Sequence, residues 1–394
     1  MAPNSPLDAV DGRTLDAVVL GGGISGAATA RELAARGYEV LLVEPRDIGW
    51  GTSGRSSRLV HGGLRYLASG KVGLVRRALR ERLALVRAAP HLVRPCPFVL
   101  PLYDDDPLPW RAAAAAGLAL YDLLARPRYG WPPPREIRPD QARILIPGLE
   151  LRGVRRIHLY HDGVTDDRRL TLATALDAAA AGAVLATRCE AGSLEPLRGG
   201  IARLSVRDLV TGESTSVETR ALINATGPWC DRTRDRLGLE GRPLLRPSRG
   251  AHLAVEGRID AAALLRHPRD GRIVFLVPAA CGFLAGTTTG DDGCPPDEVR
   301  ATEEDQAYLR EFLHAALPGG HGRVRAAFAG LRPLAAGRGH PDRLSRDARI
   351  VVERSAGVPV IHLVGGKLTL HRDMARRAAD RLGRLVPPTG RPRP

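Results

Sequence analysis

A glycine-rich turn between an apolar strand and a helix constrains the fold of this chain more than any other feature. The run DAVVL at 16–20 predicts a buried strand, and it leads into GGGISG and then the helical pattern AATARELAARG, which ends on Gly37. The segment YEVLLVE at 38–44 predicts a second strand. Together these elements form one βαβ-type unit, and a parallel sheet needs more of them.

The turn has the spacing GxGxxG at Gly21, Gly23 and Gly26, and Glu44 closes the second strand. The first glycine permits the turn, the second lets the backbone approach a pyrophosphate, and the third allows helix and strand to pack. The helix N-terminus stabilises the anion, and Glu44 is placed to bond ribose hydroxyls. The alternative is a glycine-rich turn with a chance acid at this distance. The pattern predicts a dinucleotide site without separating NAD from FAD, because both carry the same ADP moiety.

Predicted strands and helices follow one another irregularly along the rest of the chain. Further strands are predicted at 184–190, 201–209, 221–227, 251–255, 272–278 and 360–366. Helices are predicted at 71–89, 112–126, 168–181, 303–316 and 367–386. The Pro-rich stretch at 125–139 is predicted to be a loop, and 387–394 a flexible tail.

The strand-rich middle of the chain lies between Rossmann-like pieces, which predicts a discontinuous nucleotide-binding domain. The expected fold class is α/β with mixed α+β character, a Rossmann-like domain with an inserted, mostly antiparallel β-sheet substrate domain. We expect the first domain to comprise 14–75, 150–245 and 330–386, and the second 76–149 and 246–329. A length of 394 residues is enough for two or three domains.

Composition argues against several classes of protein. The formal net charge is +15, but the basic residues are nearly all Arg and lack interleaved aromatic residues, so we expect no nucleic-acid partner. Five scattered cysteines without a CxxC pair argue against a disulfide framework and a zinc site. The apolar run at 112–121 is shorter than the roughly 20 residues of a membrane span. The N-terminus lacks the pattern of a secretory signal, so we expect a cytoplasmic protein.

Five further segments follow the glycine turn. They are TSGRSSRLVHGGLRYL (52–67), NATGPW (224–229), AGLRPL (329–334), SRD (345–347) and GGKLTLHR (365–372). With these segments in this order, the chain resembles the FAD-dependent glycerol-3-phosphate dehydrogenases, a family of the D-amino-acid-oxidase-like flavoproteins. The resemblance runs from about Asp16 to about Arg377 and implies that the cofactor is FAD.

The resemblance also implies which segments lie against FAD. The TSGRSSRL run offers hydroxyls and amides to the ribityl chain and pyrophosphate, and NATG lets the chain come close to the cofactor. The amides of GGKLT approach the flavin ring carbonyl, where donors stabilise negative charge on the reduced ring. The residues assigned to FAD are Gly21, Gly23, Ser25, Gly26, Glu44, Thr52, Ser53, Ser56, Ser57, Gly62, Gly63, Leu64, Ala225, Thr226, Gly227, Gly366, Lys367, Leu368 and Thr369.

A small phosphorylated substrate is implied by the cations of these segments. In the family, a phosphate is held at positions that match Arg65, Arg332, Arg346 and Lys367. Guanidinium groups suit a phosphate because their forked donors bind it bidentately. Any one of these arginines alone would be expected to be a solvated surface charge. Arg272 and Tyr66 are two further candidates for binding the substrate. The alternative role for Arg272 is an ion pair with a carboxylate, and the alternative role for Tyr66 is packing.

Oxidation of an alcohol needs a base that accepts the hydroxyl proton while a hydride passes to the flavin, and histidine is the usual choice. His252 matches an active-site histidine of the family and is our first candidate, and His61 is the second. A hydrogen-bonded structural histidine is the alternative for both. Thr289 stands where the family usually carries Asp, and Leu370 and His371 replace a more usual Thr and Tyr. The chain also looks like a short form, without the helical C-terminal domain of most family members.

The leading hypothesis is oxidation of sn-glycerol 3-phosphate to dihydroxyacetone phosphate, with electrons passed to a quinone or another acceptor. A second keeps the flavin but changes the substrate to another hydroxy acid, amino acid or polyol phosphate. A third is an FAD-binding paralogue without catalysis. A fourth is a membrane-surface protein, for which the arginine-bearing helix at 76–90 is the nearest candidate. Peripheral contact with the inner face of the cell membrane, the oligomeric state and covalent attachment of the flavin stay open.

Overall fold

The computed structural model describes residues 5–126, 131–291, 293–337 and 347–392, without the side chains of Arg65, Ala68 and Ser69. The chain divides into two compact units. The first comprises Met1–Gly54, Asp167–Ser248 and Leu331–Pro394, and the second comprises Arg55–Asp166 and Arg249–Gly330. The sequence placed 55–75 and 150–166 in the first domain, whereas they belong to the second unit. The reason is that Leu59–Val60 and Val154–Thr165 are strands of its sheet.

The described elements are numbered in chain order. The helices are α1 (Ile24–Ala35), α2 (Val72–Ala88), α3 (Leu108–Leu124), α4 (Pro139–Leu145), α5 (Asp167–Ala180), α6 (Cys230–Arg236), α7 (Glu303–Ala316) and α8 (His371–Gly383). The 3-10 helices are Asp8–Val10, Thr52–Gly54, Leu64–Ser69, Gly227–Trp229 and Leu368–Leu370. None of the helices within the described ranges is long and apolar enough to cross a membrane.

Nineteen strands complete the description. They are β1 (Thr14–Leu15), β2 (Ala17–Leu20), β3 (Val40–Glu44), β4 (Leu59–Val60), β5 (Val93–Tyr103), β6 (Arg135–Glu136), β7 (Val154–Thr165), β8 (Val184–Thr187), β9 (Cys189–Pro196), β10 (Ala202–Asp208), β11 (Ser214–Thr219), β12 (Leu222–Asn224), β13 (Ser248–Val255), β14 (Ala262–Arg266), β15 (Ile273–Ala279), β16 (Gly282–Gly286), β17 (Val324–Arg332), β18 (Arg349–Ser355) and β19 (Val358–Val364).

The first unit is built on a sheet of order β18-β19-β12-β2-β3-β8, in which every neighbouring pair is parallel except β18 with β19. Successive residues of β2 face opposite cores. Ala17 and Val19 pack with α1 and α8, whereas Val18 and Leu20 pack with the small sheet of order β1-β11-β10-β9. A strand covered on both faces is apolar throughout. This explains why DAVVL shows no polar alternation.

The second unit contains a sheet of order β17-β13-β16-β15-β14-β5-β7-β4, with β6 beside β7. The described pairs are antiparallel except β14 with β5. Leu309, Phe312 and Leu313 of α7 pack into the core of this sheet. The expected combination of a Rossmann-like domain with a mostly antiparallel sheet is therefore confirmed.

The longest strand pair of the second unit, β5 with β7, is absent from the sequence-based elements. Pro95, Pro97 and Pro101 interrupt β5, and proline usually argues against a strand inside a sheet. All three lie at alternate positions, opposite Gly163, His161 and Ile157. Because alternate residues of an antiparallel pair point their nitrogens away from the partner strand, the three prolines remove no hydrogen bond of the β5-β7 ladder.

Residues 387–392 were expected to be part of a flexible tail, but hydrogen bonds join this segment to the first unit. The amide and Oγ1 of Thr389 donate to Oδ2 of Asp16 over 3.1 and 2.8 Å, and the amide of Gly390 donates to the carbonyl oxygen of Gly37 over 3.0 Å. Arg220 Nη1 lies 2.7 Å from Oδ1 of the same aspartate, which is fully buried. A buried carboxylate needs such partners, and the C-terminal segment supplies part of them.

Candidate functional site

The turn after β2 brings three backbone segments into contact. Gly21 has φ +104°, and a Cβ there would lie 2.8 Å from the carbonyl oxygen of Ala225. A Cβ on Gly26 would lie 1.9 Å from the carbonyl oxygen of Gly21. Since no side chain fits at either position, the turn, the start of α1 and the segment after β12 form a backbone-lined cradle. Parallel sheets bind ligands at this carboxyl edge of the strands.

Glu44 closes one side of this cradle. Its Oε2 accepts from the amide of Gly22 over 2.6 Å, and its Oε1 accepts from the amide of Arg46 over 2.8 Å. Burial raises the pKa of Glu44, and the two amides oppose that shift. An ionised carboxylate has about four acceptor positions, so the carboxylate keeps capacity for ribose hydroxyls. This donor and acceptor set fits the ADP part of a dinucleotide.

Ser53 ties the TSG segment to the start of α1. Its Oγ accepts from the amide of Ile24 over 2.9 Å, and Thr52 Oγ1 donates to the carbonyl oxygen of Leu331 over 2.6 Å. The residue before the helix is Gly23, which has no side chain to cap it, so the cap comes from a distant segment. Ser25 lies in the first helical turn, whose amides point out of the helix and favour an anion.

Two tryptophans that the sequence did not assign flank the cradle. The rings of Trp50 and Trp229 lie 6.1 Å apart at an angle of 44°, and the guanidinium carbon of Arg46 lies 5.0 Å from the centre of the Trp50 ring. The amide of Gly49 donates to the carbonyl oxygen of Gly22 over 3.0 Å, which fixes this loop to the glycine turn. The pair therefore adds aromatic surface beside the predicted nucleotide.

A buried chain of polar groups lies behind the NATG segment. Asn224 and His362 are direct partners in the β12-β19 pair and are fully buried. Asn224 Oδ1 accepts from Thr226 Oγ1 over 2.7 Å, and its Nδ2 lies 3.0 Å from Nδ1 of His362. Nε2 of His362 lies 2.9 Å from Oε2 of Glu353, whose carboxylate binds Arg234 bidentately over 2.8 Å each. Burial lowers the pKa of His362, against the opposing effect of Glu353.

The GGKL turn leaves β19 next to this chain. Gly366 has φ +102°, Lys367 is extended, and Leu368 and Thr369 begin the short helix before α8. A Cβ on Gly365 would lie 3.7 Å from the carbonyl oxygen of Pro333. The GGKL turn therefore passes close to Pro333, the residue after Arg332, in the first unit. Arg332 Nη1 lies 3.5 Å from Oγ of Ser248.

His371 begins α8 and is 2% exposed. Its Nδ1 donates to the carbonyl oxygen of Leu368 over 2.7 Å. Burial lowers the pKa of His371 to about 4, with Arg372 and Arg376 acting in the same direction and the Leu368 carbonyl opposing it. In the folded protein, the His371 ring is therefore neutral at neutral pH.

The pKa of His371 predicts a loss of stability in mild acid. In the unfolded chain, His371 takes up a proton below about pH 6.5, whereas in the folded chain it does so only below about pH 4. The free energy of unfolding should therefore fall by about 2 kcal/mol between pH 7 and pH 5 from this group alone. Urea unfolding of the wild type and of His371→Asn, which keeps a donor, measures it. The variant should lose less stability over this range; equal losses would contradict the assignment.

In the second unit, His252 lies on β13 and is 4% exposed. Its Nε2 lies 2.8 Å from Ser57 Oγ, and its ring stacks on Phe328 at 5.2 Å and 15°. A Cβ on Gly286 would lie 2.3 Å from Cδ2 of the imidazole, so β16 passes directly beside the ring. These contacts fix the ring orientation, which a proton acceptor needs. Ser56 Oγ accepts from the amide of Arg58 over 3.0 Å.

The GTTTG segment shows what Thr289 does in place of aspartate. Its Oγ1 accepts a hydrogen bond from Nη2 of Arg272. The neighbouring Thr288 is 4% exposed and donates to Asp305 Oδ1 over 2.7 Å, and Asp305 Oδ2 lies 2.9 Å from Nε of Arg249. The sequence did not assign Asp305, although T-x-x-D before α7 is the signal of the capping box that the structure shows.

The HGGLRY segment also lies in the second unit. The ring of His61 meets Phe275 edge-on at 6.5 Å, Gly63 has φ +84° before the 3-10 helix that starts at Leu64, and Tyr66 is 8% exposed. The amide of Gly62 donates to Tyr121 Oη over 2.8 Å. That hydroxyl in turn donates to Asp162 Oδ2, and Asp162 Oδ1 accepts from Arg82 Nη1 over 2.8 Å. The sequence offered no signal for this contact.

Two of the predicted phosphate cations lie outside the described part of the chain, the side chain of Arg65 and the whole of Arg346. Of the other cations, Arg332 and Lys367 belong to the first unit and Arg272 to the second. The nucleotide cradle is assembled from the first unit alone: Gly21, Gly26, Glu44, Ser53 and Ala225 meet there.

Comparisons with known proteins add independent information. The family model for FAD dependent oxidoreductases matches residues 16–379. A glycerol-3-phosphate dehydrogenase of Mycobacterium leprae is 39% identical over 389 residues, covering 94% of this chain, which spans only 63% of that relative. A D-erythritol 1-phosphate dehydrogenase of Brucella abortus is 34% identical, with coverage of 96% and 75%. The crystal structure of a glycerol-3-phosphate dehydrogenase from Bacillus halodurans complexed with FAD matches with TM-score 0.77 and 27% identity, over 98% of this chain and 68% of that one.

Proposed function

Because the chain belongs to the family of FAD dependent oxidoreductases, we propose that it oxidises sn-glycerol 3-phosphate to dihydroxyacetone phosphate by hydride transfer to FAD. The observation that carries the proposal is the glycine cradle with Glu44, combined with relatives of that activity at 39% and 38% identity. The chain spans less than two thirds of the length of those relatives. The proposed activity therefore has to rest on the residues of this chain.

The cofactor would be held mainly by the first unit. Glu44 accepts from the ribose hydroxyls, the first turn of α1 donates to the pyrophosphate, and Ser53 keeps that helix end in place. The remaining residues assigned to FAD from the sequence keep those roles as proposals. FAD, when bound, supplies the acceptor for a hydride. The chain's own groups bind the substrate and move its proton.

On the substrate side, Lys367 and Arg332 are the described cations of the first unit that would bind the phosphate, and the turn that carries Lys367 passes close to Pro333. Arg65 and Arg346 complete the set by resemblance, and Arg272 and Tyr66 are further candidates. Several cations around one dianion are stable together only when that anion is present. A phosphorylated alcohol therefore suits these positions better than a neutral one.

His252 is the proposed acceptor of the hydroxyl proton. Its Nε2 meets Ser57 Oγ over 2.8 Å, and the stacked Phe328 and the β16 backbone hold the ring. A histidine titrates near neutral pH, which suits a base in this reaction. His61 remains the second candidate.

Anaerobic titration of the purified protein with sn-glycerol 3-phosphate tests the proposal. We expect the absorbance of the oxidised flavin to bleach, whereas glycerol with inorganic phosphate, which offers the same groups on separate molecules, should not reduce it. A yellow protein whose flavin stays oxidised with this substrate would overturn the substrate assignment. A flavin that no alcohol or amine reduces would identify a non-catalytic FAD-binding paralogue.

A second candidate substrate is a longer polyol phosphate. The Brucella abortus relative, named a D-erythritol 1-phosphate dehydrogenase, is 34% identical over 96% of this chain. In addition, Thr289 gives Arg272 a neutral partner where the family carries a carboxylate. Flavin reduction rates with erythritol 1-phosphate and glycerol 3-phosphate under the same conditions separate the two candidates.

The electron acceptor and the location follow as parts of the proposal. We assign the electrons to a quinone or another acceptor and the protein to the cytoplasm, with peripheral contact at the inner face of the cell membrane. Rapid reoxidation of the substrate-reduced flavin by a soluble quinone analogue, and slow reoxidation by oxygen, would support this acceptor.

A further inference from the structure

The loops after β12 and β19 leave neighbouring strands of the sheet at the same edge. Asn224 and His362 are paired across these two parallel strands, and both side chains are fully buried. Ala225 follows the first, and the GGK turn begins three residues after the second. The pair therefore lies at the base of the Ala225-Thr226 segment, which borders the nucleotide cradle, and close to the GGK turn. We call Arg234, Glu353, His362 and Asn224 the root cluster.

The hydrogen bonds of the root cluster have one direction. The Nδ2 group of Asn224 can only donate, and it lies 3.0 Å from His362 Nδ1 and 3.0 Å from the carbonyl oxygen of Cys230. Nδ1 of His362 must therefore accept, which leaves the ring proton on Nε2; this nitrogen lies 2.9 Å from Glu353 Oε2, a close contact without the geometry of a hydrogen bond. Oδ1 of Asn224 is then free to accept from Thr226 Oγ1 over 2.7 Å.

The far end of the root cluster is anchored by charge. Arg234 is 3% exposed in its side chain and binds both oxygens of Glu353 over 2.8 Å. Asp231 Oδ1 lies 3.4 Å from the same guanidinium and accepts the amide of Leu244 over 2.9 Å. The Arg234 side chain is buried, whereas that of Glu353 is 26% exposed. The two bonds from Arg234 fix the position of the Glu353 carboxylate, which lies beside Nε2 of His362.

The near end of the root cluster touches the cradle. Thr226 follows Ala225, whose carbonyl oxygen lies 2.8 Å from the position of a Cβ on Gly21, and whose own Cβ lies 3.3 Å from that of a Cβ on Gly26. The Asn224 side chain is therefore connected, through Thr226 and Ala225, to the backbone that lies against the glycine turn. All of these residues belong to the first unit.

We propose that His362 is a positioning residue for the dinucleotide: held by Glu353 and Arg234, it orients Asn224 and thereby sets the Ala225-Thr226 backbone against the glycine turn. The inference rests on the proposed function only in taking the ligand of the cradle to be FAD. It assigns to His362 a role in cofactor affinity, although no atom of this residue needs to contact FAD.

Replacement of His362 by two side chains tests the role. His362→Gln keeps an acceptor for Asn224 and a donor for Glu353, whereas His362→Leu removes both. We expect His362→Leu to weaken FAD binding by about 5- to 100-fold, because it leaves a buried donor of the Asn224 amide unsatisfied. His362→Gln should restore most of the affinity. FAD binding to the apoprotein is measured by flavin fluorescence, without substrate.

A neighbouring substitution separates positioning from general loss of stability. Ile361→Val lies on the same strand with full burial and faces the helix side of the sheet. It should lower the thermal midpoint without changing the dissociation constant for FAD. If His362→Leu lowers the midpoint and leaves the FAD affinity unchanged, or if His362→Gln binds as poorly as His362→Leu, the proposal is overturned.

Two outcomes remain distinct in this experiment. Absence of FAD binding by the wild type would refute the cofactor of the proposed function. If His362→Leu does not fold, the variants His362→Gln and Asn224→Asp decide. The carboxylate of Asn224→Asp cannot donate to His362 Nδ1, so the FAD affinity of this variant should fall. The FAD affinity of His362→Gln should stay near that of the wild type. Equal affinities of Asn224→Asp and the wild type would again overturn the proposal.

Discussion

Gly26→Ala should give a protein that purifies without FAD. The added Cβ would lie 1.9 Å from the carbonyl oxygen of Gly21, and a backbone atom cannot rotate away as a side chain does. Overpacking of this kind costs about 1–3 kcal/mol or more, and each 1.4 kcal/mol lost from binding is about a tenfold loss of affinity. We therefore expect the dissociation constant for FAD to rise by about two orders of magnitude. The flavin-to-protein ratio and titration of the apoprotein measure it.

Gly73→Ala is the matched control for this experiment. Gly73 lies in α2, where an added Cβ meets nothing within 4 Å, and alanine is the better helix former. This variant should contain the normal amount of flavin and be slightly more stable. If Gly26→Ala also retains its flavin with wild-type affinity, the glycine turn is not the cofactor site.

His252→Gln should reduce the flavin about 10²- to 10⁴-fold more slowly with glycerol 3-phosphate, which is the usual contribution of a general base. The glutamine amide retains a hydrogen bond to Ser57 but accepts no proton at neutral pH. FAD binding should change little, because the glutamine retains the hydrogen bond to Ser57, which is itself assigned to FAD, and leaves the glycine turn and Glu44 of the first unit untouched. Anaerobic stopped-flow measurements from pH 5.5 to about 9 give the rate of flavin reduction at each pH. They also show whether the variant loses the pH dependence of the wild-type rate.

His158→Gln provides the comparison. His158 lies on β7 of the same unit and is 9% exposed, and burial lowers its pKa. We expect this variant to reduce its flavin at the wild-type rate with an unchanged pH profile. A His252→Gln enzyme that keeps the wild-type rate would leave His61 as the remaining candidate base.

The local elements with strong end signals were predictable from the sequence. α7 was predicted at 303–316 and has those bounds, because Thr302 and Asp305 form a capping box and the first turn is acidic. β2 and α1 were predictable from an uninterrupted apolar strand beside a glycine turn. β5 was missed because its prolines hide it: only the pairing with β7 shows that their nitrogens face away from the ladder.

The family and its cofactor were likewise predictable, since ordered motifs carry them, and the match over 16–379 confirms both. The side chains that hold the site segments in place were not predictable from the sequence. Asn224 and His362 are 138 positions apart, and Tyr121 lies 59 from Gly62. No periodicity encodes such pairs, because a buried histidine or tyrosine has the same local pattern whether it packs or binds. The substrate and the site residues remain predictions.

The division of the chain into pieces has a consequence for how the protein is made. The glycine turn is translated before β12 and β19, which belong to the same sheet, and before Thr389, which donates to Asp16. The second unit, in contrast, has all of its chain once residue 330 has been added. Domains fold as their chains become available during synthesis. The sheet of the nucleotide unit is therefore completed after the second unit, and until then the strand β12 lacks its partner β19.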